Sequence, residues 1–347
     1  MDLADLTTLR LGGPARAVIE ATTESLLVDA VRIADEAGDP MLLVAGGSNL
    51  VVSDEGFDGT VVRVLTRGVG VDLDACSGAM VTIAAGEPWD DLVVRAISEG
   101  WTGIEALSGI PGSTGATPIQ NVGAYGQEVS QTIASVRTYD RYDRTIRTFA
   151  AADCGFTYRS SRFKAEPQRY VVLSVTFQFA LGDLGAPIAY AELARTLGIE
   201  VGERVPAAKV REAVLALRGG KGMVLDADDY DTWSAGSFFT NPILSTGGFA
   251  RLAARAGLAG AGEPPSYPAD GGVKTSAAWL IERAGFGKGF GLPGPAALST
   301  KHTLALTNRG GASAADLVVL ARRLRDGVQD RFGIRLDPEP RLVGLTL

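Results

Sequence analysis

Three features of this chain predict an α+β architecture of at least two domains. Helix-like and strand-like segments alternate along its length. A glycine turn at Gly46-Gly47 leads from one strand into another strand rather than into a helix. The charge-free stretch 106–127 contains GIPGSTGATPIQNVGAYG, whose five glycines and two prolines in eighteen residues exclude a helix or an ordinary strand. At 347 residues the chain is also long for a single core.

The elements follow from patterning. Residues 17–21 read as a strand, and residues 23–37 as an amphipathic helix with Leu26, Leu27, Ala30, Val31 and Ala34 on one face. A buried strand at 41–45 precedes the glycine turn, with further strands at 50–52 and 60–64. A phosphate bound at such a turn meets a nest of N–H groups, not the helix N-terminus of a dinucleotide fingerprint. A second lobe begins near residue 71, with a strand at 80–85, a helix at 89–99 ended by Gly100, and then the glycine-rich loop. Strands at 133–140, 145–150 and 170–180 suit a sheet, and a helix at 206–218 stops at Gly219-Gly220. Further helices are expected at 276–283 and after Ser313. There Asp316 completes a capping-box-like start, Leu317, Leu320, Ala321, Leu324 and Val328 form the apolar stripe, and Gly333 stops the helix. A last strand at 334–345 is interrupted by Pro338 and Pro340. The expected division is 1–205, in lobes of about 1–70 and 71–205, then 206–335, with a C-terminal strand at 336–347.

Composition narrows the function classes. A 46% apolar content with 21% charged residues marks a globular rather than a disordered chain. The formal charge of −7 argues against a nucleic-acid or anionic-membrane scaffold. The N-terminus lacks the basic and apolar regions of a signal peptide, and no run reaches the roughly eighteen apolar residues that span a bilayer, so a cytoplasmic protein is expected. Cys76 and Cys154 carry no metal or redox spacing and read as reduced structural thiols. With His302 as the single histidine, multi-histidine metal sites are excluded, and an organic cofactor is expected to carry any hard chemistry.

In the loop at 109–126, glycine allows close backbone approach to an anion, and Ser113, Thr114, Thr117, Gln120 and Asn121 add neutral hydrogen-bonding groups. The composition suits main chain wrapped around a phosphate-bearing cofactor; an ordinary long loop is the alternative. Gly46-Gly47-Ser48-Asn49 reads as a pyrophosphate cradle or a hairpin turn. In SAGSFFTNP, Ser237 precedes two aromatics, as a shielded proton donor or as a serine bonded to backbone. Arg159, in TYRSSRFK, offers a planar fork for a carboxylate or is a surface arginine. Glu339 lies between Pro338 and Pro340, whose fixed φ aims its carboxylate; an exposed edge-strand residue is the alternative. Lys221 suits a phosphate or plain solvation, and Asp226, Asp228, Asp229 and Asp231 read as an exposed loop. Residues 289–294 match GxGxxG but follow a helix and contain proline, so they are no dinucleotide fingerprint.

Seven segments in order, TTLRLGGPA, VAGGSNLVV, IPGSTGATPIQNVGAYG, TYRSSRFK, SAGSFFTNP, ADGGVKTSAAWLIE and DPEPRLVG, resemble the UDP-N-acetylenolpyruvoylglucosamine reductases over nearly the whole chain. The resemblance implies an FAD-binding region of the vanillyl-alcohol-oxidase type, in two lobes, plus a smaller α+β substrate-binding domain. It implies NADPH as hydride donor, a UDP-sugar as substrate in bacterial cell-wall synthesis, and no metal, membrane or obligate protein partner. FAD would be non-covalent, since neither glycine segment holds histidine or cysteine. It would contact Gly46, Gly47, Ser48, Asn49, Gly112, Ser113, Gly115, Gln120, Asn121 and Gly123. Ser237 matches the family's proton donor, and Arg159 and Glu339 match the residues that hold the enolpyruvyl carboxylate and stabilise the enolate. Tyr190 and Lys221 match positions that bind the uridine diphosphate, with Tyr125, Tyr158, Asn241 and Lys274 in the same pocket. Tyr190 also suggests the subtype with a tyrosine-bearing substrate loop. Thr240 and Gly222-Met223 depart from the family's common lysine and leucine-proline.

Overall fold

The computed structural model describes residues 1–74 and 78–347, and Cys76 lies outside them. The chain divides into two compact units. The larger comprises Ala15–Gly46 and Asp58–Gly220; the smaller comprises Met1–Pro14, Gly47–Phe57 and Lys221–Leu347.

In the larger unit, Ala15–Ala21, Phe57–Val64 and Met41–Val44 form a sheet in that order, the last two strands parallel. The helix Glu24–Ala37 starts where the Thr23 hydroxyl accepts the Leu26 N–H and ends at Gly38, whose φ of 64° suits only the missing side chain. Leu27, Ala30, Val31 and Ala34 are buried as expected, but Leu26, flanking that stripe in the first turn, is exposed. A second, antiparallel sheet runs Thr145–Ala150, Ile133–Asp140, Tyr170–Leu181, Gly78–Ala84, Val69–Asp74. From the long central strand Phe177 packs on Trp89 and Phe179 stacks on Trp101. Trp89 opens the helix Trp89–Ser98, and its buried indole N–H donates to the Leu107 carbonyl at 3.1 Å. That bond fixes the approach to the glycine-rich loop against the core; an unmet buried donor costs about 1–3 kcal/mol. The helices Ala191–Leu197 and Ala207–Gly220 share a separate small core of Ile188, Leu193, Val210 and Val214.

In the smaller unit, Ser234–Ser237, Ala305–Asn308 and Ala296–Leu298 form one sheet, and Ile243–Leu244, Gly272–Lys274 and Tyr267–Ala269 another. Around them pack Thr246–Leu258, Ala277–Arg283 and Ala314–Phe332, through Leu252, Leu280, Leu317, Leu324 and Phe332. The Ser313–Asp316 capping box forms with both reciprocal bonds, and Gly333 ends the helix at φ 69°.

The division departs from the boundaries expected from sequence in two places. The helix Ala207–Gly220 stays with the larger unit through Val210, Val214 and the Arg211–Asp90 pair, and the smaller unit takes in two N-terminal segments. The expected long final strand is only Arg341–Val343, and it pairs in parallel with Leu50–Val52. Ser53 N–H then donates to Val343 and Gly13 N–H to Ser53, so residues 1–14 and 47–57 fold with the C-terminal half of the chain. The helix Thr246–Leu258 was not expected, because Gly247, Gly248 and Gly257 weaken its helix propensity although its faces are amphipathic.

Asp140 closes the Ile133–Asp140 strand with its side chain fully buried. Burial alone would raise its pKa, but hydrogen bonds from Arg169, Arg147 and the N–H groups of Tyr142 and Asp143 outweigh this and hold it down at about 2. A carboxylate depressed by folding stabilises above its ordinary value of 3.8 and loses that contribution as pH falls toward about 2. Asp140→Asn should therefore lower the melting temperature at neutral pH, with the gap to the parent closing as the pH drops through that window. Thermal melts across the range check this, and a constant gap refutes it.

Candidate active site

The larger unit carries the glycine-rich loop. A Cβ on Gly46 would lie 2.5 Å from the Cα of Gly112, so the two glycine segments meet main chain to main chain. Gly115 is equally confined: a Cβ there would sit 2.4 Å from that of Ala85, and its N–H already donates to the Ala85 carbonyl. Its role is close packing. The loop is pinned at its start by Asp90, which accepts the Gly109 N–H at 2.6 Å and is held bidentately by Arg211 at 2.6 and 2.8 Å. Burial opposes ionisation of Asp90, but Arg211 and the Gly109 N–H prevail and its pKa is lowered. Arg218 donates to the Gly109 carbonyl at 3.2 Å. Within the loop the hydroxyls of Ser113 and Thr114 are buried and take no hydrogen-bond partner from the protein. Two donors are thereby left for a ligand.

Asn121 behaves differently from expectation. Its amide nitrogen donates to Glu128 and the Thr157 carbonyl, and its oxygen accepts the Ser130 N–H. The buried side chain thus shapes the loop, at a φ of 44° that asparagine tolerates better than most residues. Gln120 accepts from Lys164 at 3.3 Å. Arg159, at φ 52°, donates to the carbonyls of Asn121 (3.4 Å) and Gly123 (2.6 Å) and lies 5.4 Å from the Tyr158 ring. It is partly buried and built into the loop, not a surface arginine. Tyr125 and Tyr190 meet edge to face at 5.6 Å, with Tyr190 44% exposed at the start of Ala191–Leu197.

The smaller unit brings a second group together. Gly47, at φ 59°, leaves no room for a side chain, since a Cβ would fall 1.7 Å from the Leu6 carbonyl oxygen. Asn49 donates to the Glu339 carbonyl at 3.4 Å and accepts the Arg341 N–H at 2.9 Å. Glu339 N–H donates to Phe238 at 2.8 Å, while Phe239 bridges Pro338. Ser237 and Glu339 are therefore held on adjacent strips of main chain, with Ser48 beside Asn49 in sequence. Asn241 accepts the Ala277 N–H at 2.9 Å, and Lys274 pairs with Ile243 in the neighbouring sheet. Lys221 directly follows the helix Ala207–Gly220.

The acidic cluster departs from the exposed-loop expectation. Asp231 is buried and accepts from Thr300 N–H (2.9 Å), Thr300 hydroxyl (2.5 Å) and Arg309 (2.8 Å), while Asp229 binds Lys301 at 2.6 Å. Asp90 and Asp231 are the supports that patterning missed. Asp90 reads as an ordinary first-turn helix acid, and the partners of Asp231 lie about seventy residues away in sequence. Cys154 is buried, and desolvation pushes its thiol up to about 11, in keeping with an inert structural thiol.

Residues 15–149 match the model of an FAD binding domain, and residues 228–343 match the C-terminal domain of UDP-N-acetylenolpyruvoylglucosamine reductase. Reductases of that name from Cutibacterium acnes and Streptomyces coelicolor are 59% and 58% identical, over 99% of this chain and 90% of theirs. The chain belongs to the UDP-N-acetylenolpyruvoylglucosamine reductase family. The crystal structure of the Thermus caldophilus reductase matches with a TM-score of 0.65 at 25% identity, over 99% of this chain and 97% of that one. As a member of this reductase family, the protein is an FAD-dependent oxidoreductase with an α+β fold. The residues present fit that cofactor: the bare contact at Gly46 and Gly112 and the buried hydroxyls of Ser113 and Thr114 suit a polar, phosphate-bearing group.

Gly46→Ala should displace the loop at a cost of about 1–3 kcal/mol and lower the flavin content of the purified protein. Gly219→Ala, in the helix Ala207–Gly220 where a Cβ meets nothing, is the control and should keep the parent's flavin absorbance per chain and melt no lower than the parent. Equal flavin content in all three proteins would count against the contact.

Proposed function

We propose that Ser237, Glu339 and Arg159 carry out reduction of the enolpyruvyl group of UDP-N-acetylenolpyruvoylglucosamine, giving UDP-N-acetylmuramate for peptidoglycan synthesis. The observation that carries the reading is the 2.8 Å bond from Glu339 N–H to Phe238, which sets a carboxylate beside the residue that follows Ser237. When bound and reduced by NADPH, FAD supplies the hydride for the terminal carbon of the double bond. Negative charge then develops on the adjacent carbon and its carboxylate. Arg159 holds that carboxylate through its guanidinium, and Glu339, with it, stabilises the enolate. Groups placed where charge develops contribute roughly 3–4 kcal/mol each in comparable sites. Ser237 then delivers its proton to the adjacent carbon; a hydroxyl is a weak acid, but an enolate carbon is a strong base.

Lys221, Lys274 and Asn241, with Tyr125, Tyr158 and Tyr190, bind the uridine diphosphate in this reading. The Tyr125–Tyr190 ring contact supports a tyrosine-bearing loop of the subtype that covers its substrate. FAD contacts are assigned to Gly46, Gly47, Ser48, Asn49, Gly112, Ser113 and Gly123, with Gly115, Gln120 and Asn121 shaping the loop. Among the described residues no helix is long and apolar enough to cross a membrane. A cytoplasmic enzyme with no obligate protein partner is part of the same proposal.

The test is anaerobic. Protein reduced with one equivalent of NADPH should regain the oxidised-flavin spectrum when UDP-N-acetylenolpyruvoylglucosamine is added, and a spectrum that stays bleached would sink the activity. Ser237→Ala should leave reduction of flavin by NADPH fast while slowing transfer to the sugar by about a hundredfold or more, as removal of a general acid does. Glu339→Gln should slow sugar reduction far more than it weakens FAD retention, and the reverse pattern would make Glu339 structural.

A further inference from the structure

The strand that bears Ser237 is irregular at one residue. Ser234 pairs with Thr307 and Ser237 with Ala305, so three steps along Ser234–Ser237 face two along Ala305–Asn308. The extra residue is accommodated at Gly236, whose φ is 72°, and the Ser234 hydroxyl accepts the Gly236 N–H at 3.2 Å across the irregularity. This is a β-bulge with glycine in the left-handed region.

The bulge decides which face Ser237 occupies. In a regular strand, residues two apart share a face. Ser237 would then point with Ala235, which is 7% exposed and belongs to the apolar core alongside Phe238 and Phe239. One extra residue shifts that alternation between Ala235 and Ser237, and Ser237 is only partly buried where Ala235, Phe238 and Phe239 are all buried. A Cβ at Gly236 would meet nothing within 4 Å, so space does not demand glycine there and the positive φ does. The bulge is clamped from both sides. Asp231 ties the segment before Ser234 to Thr300 and Arg309, which flank Ala305–Asn308, and Phe238 N–H donates to Leu304 at 2.7 Å immediately after Ser237.

We infer that Gly236 is a positioning residue for the reaction: its left-handed backbone turns the Ser237 hydroxyl out of the core and into line with the substrate carbon. The inference rests on the proton-donor reading of Ser237. Its test uses the FAD-loaded enzyme and measures the two half-reactions separately, flavin reduction by NADPH and reoxidation by UDP-N-acetylenolpyruvoylglucosamine. Gly236→Val, β-branched and unsuited to positive φ, should keep its FAD and its NADPH half-reaction, and should bind the sugar with unchanged affinity. It should slow reoxidation at saturating sugar by about tenfold or more. Gly236→Asn, which tolerates the left-handed region, should recover a rate within about threefold of the parent. Should the valine variant fail to fold, Gly236→Ala against Gly236→Asn makes the same comparison, alanine being the slower. Parental reoxidation in the valine or alanine variant, with Ser237→Ala slow, overturns the role of the bulge and leaves that of Ser237 intact. A fast Ser237→Ala removes the reading beneath it. Equal losses in both half-reactions, or an asparagine variant as slow as the valine one, also overturn the inference, because the bulge then serves the fold alone.

Discussion

The contact between Gly46 and Gly112 is the constraint on which the cofactor-binding half of the molecule depends. No side chain fits between those two strips of backbone, where even one methyl would overlap at 2.5 Å. The rest of the larger unit serves this approach. The parallel pair Met41–Val44 and Phe57–Val64 delivers Gly46, and the Trp89 indole together with Asp90 holds the far side at Leu107 and Gly109. A polar ligand held by main chain needs few side chains of its own but a rigid frame, because backbone donors cannot rotate toward a misplaced phosphate.

The charged residues divide the work between support and chemistry. Asp90, Asp140 and Asp231 are each buried or partly buried, each tied to arginine, and each kept ionised against the cost of desolvation. They fix the glycine-rich loop, a hairpin end and the strand bearing Ser237. The groups assigned to the reaction sit at strained or unusual backbone instead. Arg159 and Tyr125 have positive φ, and Ser237 follows a bulge. Such conformations persist only where surrounding bonds enforce them.

Much of this was legible from sequence where physics is local. The capping box at Ser313–Asp316, the stop at Gly333, the stripe of the helix Glu24–Ala37 and the strand-to-strand glycine turn all depend on residues a few positions apart. The seven ordered segments carried the family. Partnerships made over long sequence distances were not legible. The pairing of Arg341–Val343 with Leu50–Val52 moves residues 47–57 into the smaller unit, and no periodicity announces it. The buried role of Asp231 was hidden for the same reason, as was the use of Asn121 inside the loop, since its partners come from two other segments, Glu128 with Ser130 and the more distant Thr157.

The parallel pairing also sets an order of events during synthesis. Leu50–Val52 leaves the ribosome nearly three hundred residues ahead of its partner strand. Until Arg341–Val343 follows, that edge stays open and the main chain at Glu339 is not yet there for Asn49 to meet. A chain cut ahead of that strand therefore leaves residues 47–57 without this tie to the rest of the smaller unit.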